Sequence, residues 1–200
     1  MPVPAPLFAL EVNTLMAGFG RPWCIAGHWA LDLLSPSPPP RPTQPGPAML
    51  AIFRSDQQAL RDYLFGWQFQ ISAAGGACEP WGDERWIEQP LYEVHAYQPL
   101  ADPSRLRFEL MDVEGEYWLY RRRQQVRRPR RELIHHTPQG IPVLAPEVAL
   151  LCHHDDPDAH PGIIEAVLKR LDASGRRWLQ TALHGIDPDH LWLARLESSQ

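Results

Sequence analysis

No aspartate or glutamate occurs between Asp32 and Asp56. That segment can therefore offer no carboxylate to a hard divalent cation, which takes oxygen ligands. Lysine is almost missing too: of the nineteen Lys and Arg residues only Lys169 is a lysine, which reads as a compositional habit of the source genome. The three cysteines, Cys24, Cys78 and Cys152, are odd in number and widely spaced among apolar neighbours. That pattern excludes a disulfide framework and implies buried free thiols in a reducing compartment. No stretch approaches the length of apolar sequence that spans a bilayer, and no basic segment leading into a long apolar run opens the chain. A soluble, cytoplasmic protein without membrane contact is expected. A Gly-x-Ser-x-Gly elbow, a phosphate-binding loop and a dinucleotide fingerprint are all missing. Cys24 falls in a strand that reads as buried, so nucleophilic catalysis by serine or cysteine has no support. The net charge of −5 argues against a dedicated nucleic-acid binder.

The chain has material for a real core. Its 200 residues are 44% hydrophobic and include eight tryptophans, which excludes global disorder and suits one domain of ordinary size. Phe8, Val12, Leu15 and Met16 recur at helical spacing and predict a first helix over residues 6–17, stopped by Gly18. Trp23 to Ala26 reads as a buried strand, followed by a glycine turn and a short helix. Seven prolines between Ser35 and Pro47 forbid regular structure there. A plain surface loop is favoured over a lid. Ala48 to Phe53 reads as a second apolar strand, and residues 56–67 as a helix with Ala59, Leu60, Tyr63, Leu64 and Trp67 on one stripe. Strands are predicted over 68–73 and 91–98, with a turn at Gly75-Gly76 between them. Leu106–Met111 and Tyr117–Arg121 flank Asp112 to Glu116 as the arms of a hairpin. Three helical patterns close the chain: one opened by Pro146, one over Ile163 to Leu171, and one around Trp178 to Leu183 with Asp172 or Ser174 as its cap. The expected class is α/β or α+β: a mixed sheet flanked by helices. A core over 1–143 would be followed by a helical C-terminal subdomain over 144–200.

The segment Trp23-Cys24-Ile25-Ala26-Gly27-His28-Trp29-Ala30-Leu31-Asp32-Leu33 and the strand Leu50 to Gln57 resemble the nucleotidyltransferase superfamily. So do Val94-His95, Trp118 to Arg122, Gly140 to Glu147 and His190 to Leu196. The likeness is nearest to the aminoglycoside and lincosamide nucleotidyltransferase-like proteins and covers roughly residues 7–196. It implies a strand, a Gly-Gly turn, a helix and a strand bearing Asp-x-Asp. Alternate strand residues share a face, so two such aspartates grip Mg²⁺ together. Here Pro47 and Met49 match the two aspartates. Proline offers no side-chain ligand, and a thioether is too soft for Mg²⁺.

Three further positions depart from the pattern. His28 replaces the second glycine, where backbone would approach a phosphate; it reads either as a residue filling a vacated pocket, which is favoured, or as a phosphate-contacting cation. Ala96 follows His95 where the family has an aspartate. Glu93, Glu109 or Asp112 would serve as the missing acid only by pointing inward, and each reads more simply as an exposed strand or turn residue. His153 stands where the family carries a lysine near the triphosphate, and Ala159 to Ile164 replaces a following Lys-Asp-Glu-x-Asp-Phe-like stretch. The resemblance thus implies a degenerate, non-catalytic member with a vestigial ligand cleft at Gly27, His28, Met49, His95 and His153. No cofactor is expected; the cleft would take a small molecule, a nucleotide or a protein partner. An active transferase with a rebuilt metal site is the alternative.

Two other clusters stand out. His153, His154, Asp155, Asp156, Asp158 and His160 are metal-ligating types in one stretch, with His153, His154, Asp156 and His160 the weak candidates for a transition metal. No established ligand spacing is matched, and a surface turn entering a helix is favoured. Arg121, Arg122, Arg123, Arg127, Arg128, Arg130 and Arg131 put seven arginines into eleven residues. Such a run can bind phosphate backbones. A solvated or salt-bridged face serving the hairpin is favoured, with a nucleic-acid or partner-binding accessory role as the alternative.

Overall fold

The computed structural model describes residues 6–72, 78–82, 85–156 and 161–197. Helix α1 (Leu7–Met16) leads to β1 (Trp23–Ile25), α2 (Gly27–Leu34), β2 (Ala48–Phe53), α3 (Gln57–Tyr63), β3 (Gln68–Ser72) and β4 (Cys78–Pro80). Then come β5 (Glu93–Tyr97), β6 (Arg105–Met111), β7 (Val113–Glu114), β8 (Tyr117–Tyr120), β9 (Arg123–Pro129), β10 (Ile134–His136) and β11 (Pro142–Leu144). Helices α4 (Pro146–Cys152), α5 (Pro161–Arg170), α6 (Ala173–Ile186) and α7 (Trp192–Glu197) end the chain. Eight strands form a mixed sheet in the order β10-β11-β1-β2-β6-β5-β3-β4, and β7-β8-β9 form a second sheet. Among the described residues only β1/β11 and β2/β6 pair in parallel. This is a mixed α/β fold of the α+β kind, with helices in the C-terminal region. Among the described residues no helix is long and apolar enough to cross a membrane.

The core follows from strand alternation. Leu50 and Ile52 of β2, Leu106, Phe108 and Leu110 of β6, and Val94 and Ala96 of β5 are all buried. Their odd-numbered partners on β2 and β6, and the intervening residues of β5, take the other face of the sheet. The α2 helix packs on β2 and β11 and meets α4 and α5. Helix α1 buries Phe8, Val12 and Met16, one turn apart, with Phe8 edge-on to Trp29. Tyr63 ties α3 to the end of α1: its hydroxyl donates to the Leu15 carbonyl at 2.6 Å and accepts from the Gly18 N–H at 3.2 Å. Asp172 caps α6, accepting from the Gly175 N–H at 2.7 Å.

Two expectations need correction. The helix over 56–67 is shorter, because the chain leaves helical geometry at Leu64 and turns through Gly66 at φ +86°. The hairpin also differs. Strand β6 pairs with β2 and β5, while β8 pairs with β7 and β9. The break between β6 and β7 falls at Asp112, whose carboxylate takes Arg54 Nε at 2.5 Å and Nη2 at 3.2 Å and whose carbonyl accepts from the Leu119 N–H at 3.0 Å. The tight turn is instead Gly115-Glu116, with Gly115 at φ +56°. The Gly75-Gly76 turn lies outside the described residues.

The proline-rich loop is tied down. The Asp32 carboxylate, fully buried on α2, accepts from the Thr43 N–H at 2.9 Å and the Thr43 hydroxyl at 2.7 Å.

Arg54 also donates to the carbonyls of Ile87 and Leu91 at 3.2 and 2.7 Å, so one guanidinium holds the loop before β5 and the kink after β6. Replacing it by methionine leaves Asp112 and two carbonyls without that donor. Arg54→Met should cost about 2–4 kcal/mol of stability. Urea melts of the two proteins check this, and a midpoint that does not move would show the anchor to be dispensable.

Candidate functional site

A cleft of about 310 Å³ opens where β1 gives way to α2. Ala26 donates its N–H to the Met49 carbonyl at 2.8 Å, which seats β1 against the start of β2. Gly27 follows at φ +60°, a conformation that favours glycine. A Cβ there would lie 3.1 Å from the Met49 sulfur. The thioether thus occupies the ground between the glycine turn and β2. His28, in the first turn of α2, meets the His153 ring edge-on at 4.6 Å between centroids. His153 is held from α4, its Nδ1 2.8 Å from the Ala149 carbonyl. Gly27, His28, Met49 and His153 therefore share one cleft. His95 does not line it. It faces an adjoining hollow of about 540 Å³, lined also by Pro47, and the two share Arg107.

Strand register explains the residues that sequence reasoning misplaced. Glu93 and Glu109 stand directly opposite each other on β5 and β6, and both line the cleft. Reading them as exposed strand residues is corrected. The apolar residues Val94, Ala96, Phe108 and Leu110 fill the core face, and alternation sends the glutamates to the other. That alternation was present in the sequence and was the usable signal. Ala96 is 2% exposed, on the core face, so an acid there would not point into the cleft. Asp112 is committed to Arg54. Arg107, Tyr120 and Gln44, the last from the proline-rich loop, also line it and carry no functional signal in the sequence; Arg121, from the arginine run, joins them.

Each cleft glutamate has a guanidinium partner. Arg107 grips Glu93 with two hydrogen bonds, Nη2 to Oε2 at 2.6 Å and Nε to Oε1 at 3.2 Å. Arg121 Nη1 lies 3.7 Å from Glu109 Oε1. Burial pushes the Glu93 carboxyl up, but its bonds to Arg107 and the neighbouring His95 outweigh it, and the net shift is downward. Burial raises Glu109; Arg121 opposes this, the Glu93 charge adds to it, and the net shift is upward. The Glu109 side chain is 22% exposed, so its carboxyl reaches the cleft. Burial pushes the Asp155 carboxyl at the rim up, but the hydrogen bond and charge of Arg122, 2.6 Å away, together hold it below its usual range. Burial pushes the thiols of Cys24 and Cys152 far up, which makes both poor nucleophiles.

Ser72, His95 and Glu93 form a small network. Ser72 Oγ and Glu93 Oε1 each lie 2.8 Å from the same ring nitrogen of His95, Nε2. A nucleophile relay needs the hydroxyl and the carboxylate on opposite nitrogens, so this is an anchoring contact.

The described part of the histidine-rich stretch is divided between two sets of partners. His153 turns to His28 and the Ala149 carbonyl, whereas His154 turns to Tyr120 and stacks on His190. His160 and Asp158 lie outside the described residues. Among the described residues no group of three or more His, Cys, Asp or Glu is placed to hold a metal ion. The arginine run is spread over separate partners. Arg122 takes Asp155, Arg127 lies over the Tyr117 ring, and Arg128 pairs with Glu147 at 2.5 Å beneath Trp178.

A search against models of known protein families finds no match, and no curated protein matches the chain.

The opposite shifts of the two glutamates predict opposite mutants. A carboxyl raised in the folded state contributes stability below its unfolded value and loses it as the pH rises. Glu109→Gln should therefore raise the melting temperature at neutral pH, with the gain fading below about pH 4. A lowered carboxyl contributes above its unfolded value and loses that as the pH falls. Glu93→Gln should therefore lower the melting temperature at neutral pH, with the loss fading on acidification. Thermal melts of both variants across that range decide it, and shifts of the same sign would contradict the electrostatic description.

Proposed function

We propose that this chain is a catalytically degenerate nucleotidyltransferase-fold protein that keeps its cleft for a small molecule or nucleotide and binds it without metal. The observation that carries the reading is the Met49 thioether packed against Gly27, where the resemblance calls for a metal-gripping aspartate. The residues present do not fit Mg²⁺. Pro47 carries no side-chain ligand, Met49 is soft, and the two cleft glutamates have Arg107 and Arg121 as counter-ions. A guanidinium stays charged at every working pH. With imidazoles at His28 and His153 on one wall and carboxylates on another, the cleft suits a compact polar molecule bearing both donors and acceptors. Its volume lies at the small end of ligand pockets.

One observation favours a second reading. Glu93 and Glu109 are cross-strand neighbours in the same cleft, and paired carboxylates are what a rebuilt metal site would need. Calorimetric titration with Mn²⁺ separates the two. Wild type should give no binding isotherm, while the Pro47→Asp/Met49→Asp double variant, with two acids on one strand face, should gain measurable affinity. With labelled ATP, Mg²⁺ and a panel of aminoglycosides and lincosamides, both proteins should stay at background. Metal-dependent turnover by wild type that disappears in Glu109→Gln would establish the second reading instead.

A further inference from the structure

The far ends of β1 and β2 carry a second concavity. Met49 and Gly27 mark the cleft end of this strand pair; Trp23 and Phe53 mark the opposite end, since Trp23 pairs with Ile52 and Ile25 with Leu50. There a shallow pocket of about 540 Å³ has Trp23 and Phe53 in its lining together with Arg21, Arg130, Arg131 and His136. None of the described residues lining it carries a carboxylate. That is a local reversal of sign in a chain of net charge −5.

The cations here are not spent on structure as the cleft arginines are. Among the described residues neither Arg21 nor Arg130 forms an ion pair. Arg130 lies 4.4 Å over the Phe53 ring, an arrangement that holds the guanidinium plane while leaving its N–H edges for an acceptor. The Arg131 side chain is 85% exposed, and its one ion-pair partner among the described residues is Glu132, at 3.8 Å. Glu132 also meets Arg128 and lines a different cavity. His136 sits at the end of β10, opposite Pro142, and adds a fourth donor.

Arginine forks match phosphate geometry with paired hydrogen bonds. Aromatic rings pack flat against planar heterocycles and contribute beyond simple area burial. The volume accommodates one ring system and one phosphate. We infer that this pocket binds a small aromatic phosphate, of the chemical class of a nucleoside monophosphate, with its phosphate on Arg21, Arg130 and Arg131 and its ring against Trp23, while the buried Phe53 holds Arg130 from below. The site is separate from the Gly27–Met49 cleft and stands whether or not that cleft binds a nucleotide.

The test uses the full chain and AMP as probe, followed by calorimetry, with adenosine, inorganic phosphate and a single-stranded oligonucleotide as controls. AMP should bind at least about tenfold more tightly than adenosine or phosphate alone. Arg130→Gln and, as an exposed alternative outside the 3-10 turn, Arg21→Gln should each weaken AMP about tenfold. Arg177→Gln, exposed on α6 and lining neither pocket, should leave AMP affinity unchanged. AMP binding lost in Arg121→Gln but kept in Arg21→Gln and Arg130→Gln would put the nucleotide in the cleft and overturn the inference. Phosphate binding as tightly as AMP would remove the role of the aromatic floor and overturn it too. An oligonucleotide that outcompetes AMP with steep salt dependence, through the same arginines, would replace it with a nucleic-acid surface.

Discussion

The Cβ that Gly27 lacks would stand 3.1 Å from the Met49 sulfur, at a backbone φ of +60°. Both facts come from one hydrogen bond, Ala26 N–H to the Met49 carbonyl, which draws the end of β1 onto the start of β2. Once that contact is made, α2 must leave the sheet at this point, and its first turn faces the sheet edge of the cleft. His28 is then delivered to His153, and α2 is delivered to α4 and α5. A side chain at 27 would hold a left-handed backbone that favours glycine and would push the Met49 thioether out of its place between β1 and β2.

Inside the cleft the charges are closed among themselves. Arg107 and Arg121 stand across from Glu93 and Glu109 on neighbouring strands or loops. Two glutamates facing each other across a ladder repel, and the arginines offset that repulsion without any exogenous cation. The asymmetry between the pairs matters. Glu93 is gripped by two bonds and stays ionised; Glu109 meets its arginine only at 3.7 Å and holds a proton more readily. The floor therefore has one fixed anion and one carboxyl that can switch between donor and acceptor within the range where carboxylates titrate.

Much of this architecture was legible in the sequence. The apolar runs at 23–26 and 48–53, the helical stripes at 6–17 and 163–171, and the Asp172 cap all carry patterns that local physics enforces. Strands β9, β10 and β11 were harder. Three of the seven β9 residues are arginines; Arg127 lies over Tyr117, whereas Arg128 is buried against Trp178 and pairs with Glu147. The apolar period that marks a strand is thereby masked. The hairpin was misassigned because Arg54, distant in sequence, decides where the chain kinks. At the site, Gly27, His28, Met49 and His153 converge, whereas Glu93 and Glu109 were passed over as surface residues. Which face of a strand meets a cleft depends on what packs on the other face, and that is a tertiary fact.

The Asp32–Thr43 clamp has a dynamic consequence. A loop of this length held only at its ends would swing as a body, on the nanosecond-to-microsecond scale of loop motion. Thr43 pins it near Gln44, the residue it contributes to the cleft, and prolines stiffen the spans on either side. The Gln44 amide therefore meets the cleft from a stiffened backbone, and the motion left to it is side-chain rotation, which belongs to the picosecond-to-nanosecond range.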